Sequence, residues 1–145
     1  GSATSRLATL TVVLGDQDSD GMSDAWELAH SFNPCSAADR NQDADSDGRT
    51  NWEEAISGTD PRDATSVLKV RLRRGSGATG ALIQFTANAE VGYTIQYRPE
   101  LGTGSWLTLT NLPPEVLSRA VEIADPDATS ARGRFYRLVT PVQPY

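Results

Sequence analysis

DQDSDGMSDAWE (residues 16–27) and DADSDGRTNWEE (residues 43–54) are two copies of one pattern. Each sets an oxygen-bearing side chain at positions 1, 3, 5, 9 and 12 and a glycine at position 6. In the first copy these are Asp16, Asp18, Asp20, Asp24 and Glu27 around Gly21. In the second they are Asp43, Asp45, Asp47, Asn51 and Glu54 around Gly48. That is the spacing of a calcium loop. Ca2+ is a hard cation that takes six to eight oxygens at roughly 2.3–2.6 Å. Carboxylates at positions 1, 3 and 5 converge on one point only if the chain turns sharply after position 5, and glycine permits that turn because it has no Cβ. Position 7 gives a backbone carbonyl, so its side chain is free to vary: Met22 in one loop, Arg49 in the other. Position 9 often acts through water, and position 12 needs the longer glutamate arm for two-oxygen contact. Without a cation, loop one would crowd five carboxylates and loop two four, which costs Coulomb energy. The pattern therefore predicts two Ca2+ ions, one per loop.

The bulk composition agrees. The chain has 145 residues, enough for one ordinary domain or two small ones. Its hydrophobic content of 38 % is low for a single large core. Formal charge is −6, yet nine of the 19 acidic residues sit at the proposed ligand positions. The remaining acids are fewer than the 13 basic residues, so the acidity belongs to the loops and says little about a basic partner. Nothing points to nucleic acid. Cys35 is the only cysteine, so no internal disulfide can form. No apolar run approaches the ~20 residues of a membrane span, and no signal peptide is visible. Cytosolic free calcium is low, so static calcium modules usually work outside the cell. The expected location is therefore extracellular or at the cell surface. Gly1-Ser2 reads as an expression scar, and the chain as a piece of a longer secreted protein.

Around the loops the periodicity changes twice. Residues 6–14, RLATLTVVL, alternate as a strand that Gly15 ends. It would belong either to a preceding domain or to the C-terminal sheet. After loop one, residues 24–32 predict a short exit helix, with Ala25, Leu28, Ala29 and Phe32 as an apolar stripe and Asn33-Pro34 as its stop. After loop two, Trp52, Ala55 and Ile56 repeat the stripe, and Gly58 is placed to end the helix. The two stripes are expected to face each other, with Trp26 and Trp52 near the seam. Thr59-Asp60-Pro61 reads as the start of one more helical turn.

From Ser66 the period is 2. Strands are predicted over 67–74, 81–87, 93–98, 106–110, 116–123 and 134–140. Leu68, Val70 and Leu72 should point inward on the first, and Val121 and Ile123 on the fifth. Six or seven short strands at this spacing predict an antiparallel β-sandwich. The fold class is thus mostly β with a small α-containing calcium module. The organisation is an N-terminal strand or linker at 1–15, a tandem calcium module at 16–65 and a β-sandwich at 66–145.

The segment DSDGMSDAWELAHSFNP…DADSDGRTNWEEAISGTDP resembles bacterial thrombospondin type 3 calcium repeats. The matching marks are DxDxDGxxDxxE, an exit helix ending near NP, and a second loop closing in GTDP. The resemblance covers about 46 residues, Asp16 to Pro61. Dockerin modules are similar in having two loops, each with only an outgoing helix. They tend to carry Asp at position 12 and small hydroxyl residues at 10 and 11, where this chain has Glu, Ala25-Trp26 and Trp52-Glu53. The second half resembles fibronectin type III and other immunoglobulin-like modules. Such β-domains trail calcium repeats in secreted bacterial proteins. The resemblance implies a non-enzymatic calcium-stiffened spacer, with neighbouring domains of the same secreted protein as its partners.

Other chemistry is thin. His30, the only histidine, and Cys35 stand apart from any nucleophile–base arrangement. The remaining carboxylates are scattered, which gives no paired acid and base for glycoside hydrolysis. Two features could bind ligands. Tyr97, Trp106 and Tyr136 could stack on sugar rings if they share one face, which would make the chain a carbohydrate-binding accessory domain. Equally, they could be core. The basic set Lys69, Arg71, Arg73, Arg74, Arg132, Arg134 and Arg137 could meet an acidic polysaccharide, pack on the calcium module, or simply face water. A dockerin-like module binding a cell-surface protein is the third reading.

Overall fold

The structure is a computed structural model and describes residues 15–75, 80–100, 102, 104–129 and 133–141. The strand expected over 6–14 lies outside these residues. Two helices come first, α1 (Asp24–Ala29) and α2 (Asn51–Ser57). Six strands follow: β1 (Arg71–Arg74), β2 (Ala81–Ala87), β3 (Tyr93–Arg98), β4 (Leu107–Leu112), β5 (Arg119–Asp125) and β6 (Phe135–Val139). The strands form two three-stranded sheets, β1-β2-β5 and β4-β3-β6, with every pairing antiparallel.

Alternation explains the core. Inward residues of β2, β3 and β5 meet as Phe85, Ala87, Tyr93, Ile95 and Val121, with Leu109, Leu112, Ile123 and Leu138 packed against them. Phe85 and Tyr93 pack edge to face at 5.2 Å, a favoured aromatic geometry. Both sheets contribute to this one core. At its end, buried Asp125 accepts two bonds from Arg134 Nη1 at 2.9 and 2.7 Å and one from the Tyr136 hydroxyl at 2.8 Å. Burial and that carboxylate push the Tyr136 hydroxyl pKa upward.

Three expectations are corrected. The first strand begins at Arg71 rather than 67, and only Leu68 of its predicted inward residues packs on the core. Val70 and Leu72 are exposed, and among the described residues β1 pairs with β2 alone. The strand predicted from 116 starts at Arg119, and Val116 and Leu117 stand in solvent. Thr59 to Ser66 forms tight turns rather than a helical turn, closed by Asp63 N to Asp60 O at 3.1 Å and Ser66 N to Asp63 O at 2.7 Å.

The helices hold a larger difference. On α1 the buried residues are Asp24 and Glu27, while Ala25, Leu28 and Ala29 are exposed. Three of the four stripe residues thus face water, the half-buried Phe32 packs on Trp26 and Arg62, and the two helices do not meet along an aromatic seam. Trp26 stacks on His30 and Phe32, whereas Trp52 lies under the Arg40 guanidinium at 4.4 Å. The reason is that the acidic side of α1 is the side turned toward the interior of loop one.

The end of α2 meets the sheets. Gly58 caps it in the left-handed region, at φ 69°. The Ser57 carbonyl accepts from Asn88 Nδ2 at 2.9 Å, and the Ile56 carbonyl from the Thr140 hydroxyl at 2.9 Å. These are carbonyls that a helix end leaves without partners of its own.

Candidate metal centre

The two loops are built alike, bond for bond. In loop one Asp16 accepts from Asp20 N at 3.1 Å and Gly21 N at 2.9 Å, and Asp18 accepts from Asp20 N at 3.2 Å. Asp20 accepts from Met22 N at 2.7 Å. In loop two the equivalent bonds join Asp43 to Asp47 N at 3.2 Å and Gly48 N at 2.9 Å, Asp45 to Asp47 N at 3.1 Å, and Asp47 to Arg49 N at 2.7 Å. Gly21 and Gly48 take φ of +91° and +94°, a conformation that other residues rarely adopt. Ser19 and Ser46, both at position 4, are also left-handed. Asp16 and Asp43 fasten the turn with both oxygens, whereas Asp18, Asp20, Asp45 and Asp47 each fasten it with Oδ1 and leave Oδ2 without a partner.

Those unpartnered oxygens are buried. Asp18 Oδ2, Asp20 Oδ2 and both oxygens of Glu27 are buried without a hydrogen-bond partner in loop one, as are Asp45 Oδ2, Asp47 Oδ2 and Glu54 Oε2 in loop two. Glu27 and Glu54 have no exposed surface at all. Ligand oxygens of Asp16, Asp18 and Asp20 lie within 4.8 Å of one another, as do those of Asp43, Asp45 and Asp47. Burial, reinforced by the surrounding carboxylates, pushes Glu27 up to about 7. Burial also pushes Glu54 up to about 7, against the pull of its bond from the Thr59 hydroxyl. Asp20 is raised as well, first by burial. Buried carboxylate oxygens without donors, set close to further carboxylates, are what a divalent cation stabilises. An all-oxygen donor set suits a hard ion such as Ca2+. The residues therefore fit the ion that their spacing predicts.

Position 9 has a different place from the others. Asp24 Oδ1 accepts from Gln17 N at 2.8 Å, and Asn51 Oδ1 from Ala44 N at 3.3 Å. Both side chains close the loop across its mouth. Met22 and Arg49 stand at position 7, the first side chain buried and the second exposed.

One residue outside the spacing joins the centre. Asp39, in the connector, is buried and brings an oxygen within 4.8 Å of those of Asp20 and Glu27. No motif position marks it in the sequence.

The three aromatic candidates do not form one platform. Tyr97 pairs directly with Tyr136, so both share a face of the β4-β3-β6 sheet. Arg134 lies over the Tyr97 ring at 4.3 Å and the Tyr136 hydroxyl is bound to Asp125. Trp106 is held between Arg98 and Arg137 at 4.6 and 4.5 Å. Those arginines alternate with Tyr97 and Tyr136 along their strands and so project from the opposite face. His30 Nδ1 lies 2.7 Å from the Trp26 carbonyl, and Cys35 is exposed. Among the described residues no helix is long and apolar enough to cross a membrane. No protein-family model, curated protein or solved structure matches this chain.

Proposed function

We propose that this chain is a non-enzymatic calcium-binding structural module that two Ca2+ ions stiffen into a spacer. The observation that carries the reading is the pair Glu27 and Glu54, fully buried, with oxygens that lack any donor, at equivalent places in two loops of the same construction. Asp16, Asp18, Asp20 and Glu27 would hold one ion and Asp43, Asp45, Asp47 and Glu54 the other, with backbone carbonyls of Met22 and Arg49 completing each set. The ion's contribution is charge. It replaces an apolar core in a segment whose buried side chains are mostly carboxylates, so binding energy becomes folding energy. Loaded in this way, α2 is held by an ion at Glu54 and by Asn88 and Thr140 at its last carbonyls. The ion would thereby set the direction of the calcium segment relative to the β sheets. The combination resembles thrombospondin type 3-like repeats followed by an immunoglobulin-like β-sandwich, and such a module belongs in a secreted or cell-surface bacterial protein.

Chelation tests this. EGTA should reduce the helical far-UV signal and lower the melting temperature, and added calcium should restore both. An unchanged spectrum and melting temperature would sink the proposal.

A docking role is the second reading, because Leu28 is 59 % exposed beside exposed Ala25 and Ala29 on α1. One leucine with two alanines is a small apolar surface against the ~800 Å² per partner of a stable interface, so the spacer reading leads. Surface plasmon resonance against the neighbouring domain of the parent chain, with Leu28→Asp as control, distinguishes them.

A further inference from the structure

We propose that Asp39 is a ligand of the first ion and that the connector carrying it couples the two ion sites. This rests on the calcium reading above and adds to it a residue, an inequality between the loops and an order of loading.

The first observation is the side chain. Asp39 is 8 % exposed. Its Oδ2 accepts from Asn33 N at 3.2 Å, which fixes the carboxylate. Its Oδ1 is buried and has no donor. Asp39, Asp20 and Glu27 bring their oxygens within 4.8 Å of one another, and all three are buried. Three buried carboxylates around one point repel strongly unless a cation lies among them.

The second observation is the count of oxygens. Loop one offers an oxygen of Asp16, Asp18 Oδ2, Asp20 Oδ2, both oxygens of Glu27 and now Asp39 Oδ1, and the position-7 carbonyl that the motif assigns to Met22 would make seven. Seven oxygens fall within the six to eight that Ca2+ takes, without recourse to water. Loop two is poorer. Among the described residues no acid from outside the loop joins Asp43, Asp45 and Asp47. Glu54 also shares Oε1 with the Thr59 hydroxyl at 3.2 Å. The first site should therefore bind more tightly, although the motif is the same.

The third observation is the backbone around Asp39. Its carbonyl accepts from Asn51 Nδ2 at 2.7 Å, in a buried bond. The Gln42 carbonyl accepts from Asn51 N at 2.8 Å, and the Arg40 carbonyl from Trp52 N at 3.2 Å. The first turn of α2 thus hangs on residues 39–42. Asn51 in turn closes loop two through Ala44 N, and Glu54 stands one turn further on. Loop one also leans on this group: a Cβ at Gly21 would come within 2.8 Å of Arg40 Nη1 and 3.1 Å of Trp52 Nε1. An ion that draws Asp39 inward therefore orders the connector, and with it the frame on which the second ion site is built. Linkage makes the effect reciprocal.

Calorimetric titration of the whole chain with calcium chloride tests this, with Glu27→Gln and Glu54→Gln used to assign the two sites. The expected wild-type result is two ions of unequal affinity. Asp39→Asn keeps an acceptor for Asn33 N but removes the charge. It should lower first-site affinity at least tenfold and second-site affinity several-fold. Far-UV dichroism at saturating calcium should match the wild type, which separates lost affinity from lost fold. Asp45→Asn approaches from the other end without touching the connector, and should weaken the first site several-fold. If the wild type takes up two ions and Asp39→Asn keeps both affinities within twofold, the proposal falls and the calcium reading stands. If the first site alone weakens, or Asp45→Asn leaves the first site unchanged, the coupling is overturned. If the wild type takes up no calcium, the calcium reading itself fails.

Discussion

A carboxylate with no exposed surface and no hydrogen-bond donor stays charged only beside a cation. Glu27 is such a group at both oxygens, and Glu54 at Oε2. The consequence has opposite signs with and without metal. Glu27→Gln removes a buried charge, so the metal-free protein should melt at a higher temperature than wild type. The same change should cut calcium affinity at loop one at least about tenfold and shrink the calcium-induced rise in melting temperature. Scanning calorimetry with and without EGTA reads both, and a Gln variant less stable than wild type in EGTA contradicts the argument. The pH dependence follows from the same groups. Each is raised from 4.5 to about 7 in the folded, metal-free chain. The folded state therefore holds more protons than the unfolded one between those values, and metal-free stability falls as pH rises through that window. Calcium needs both side chains ionised, so its affinity rises across the same window. Titrations at pH 6 in buffers of different ionisation heat should show proton release on calcium uptake, and at pH 8 almost none. Buffer-independent heats at pH 6 would refute the assignment.

Six-residue α1 and seven-residue α2 are far shorter than the ~12–15 residues that a helix needs to persist alone. Their ends hold them. Thr50 and Glu53 form a reciprocal capping box on α2. Arg62 donates to the His30 and Ser31 carbonyls at 3.1 and 3.3 Å, beyond the end of α1, and stacks on Phe32 at 4.4 Å. Thr50→Ala should cost about 1 kcal/mol, seen as a lower urea midpoint in calcium, and should weaken the second ion because α2 carries Glu54. An unchanged midpoint would mean that the ion alone holds the helix. At this scale the sequence was legible wherever one force acts. The strands Ala81–Ala87 and Tyr93–Arg98 fall where alternation predicts them, since a single apolar core selects one face. Gly58 ends α2 where only a left-handed residue could. Legibility failed where two forces compete. On α1 the apolar period selects Ala25, Leu28 and Ala29, but the convergence of anions buries Asp24 and Glu27 instead. Hydrophobic periodicity cannot anticipate an interior made of carboxylates. Asp39 is not legible in the sequence for a related reason, since its place depends on the return path of residues 33–42 and on no spacing within either loop.

Across the whole molecule two kinds of interior meet at one helix. The sheets close over Phe85, Tyr93, Ile95 and Val121, an apolar interior. The loops close over buried anions. Helix α2 belongs to both, with Glu54 in the second acidic centre and its final carbonyls bound to Asn88 and Thr140. Val91 and Asn88 also approach the position a Cβ would take on Gly58, at 2.7 and 3.0 Å, which leaves little room for movement at that corner. Helix α2 is thus an element on which both the second acidic centre and the sheets act, the physical condition for coupling between them. Calcium should therefore stabilise the sheets as well as the loops, although among the described residues no sheet residue belongs to either acidic centre. The double variant Asn88→Ala, Thr140→Val removes the two bonds while leaving every proposed ligand in place. It should still bind two calcium ions, the second more weakly than in the wild type because α2 carries Glu54. Its melting should split, with a loop transition that moves with calcium and a sheet transition, followed by near-UV dichroism of the buried Tyr93, that no longer does. A sheet transition that still shifts with calcium as far as in the wild type would show that the two interiors communicate by another route.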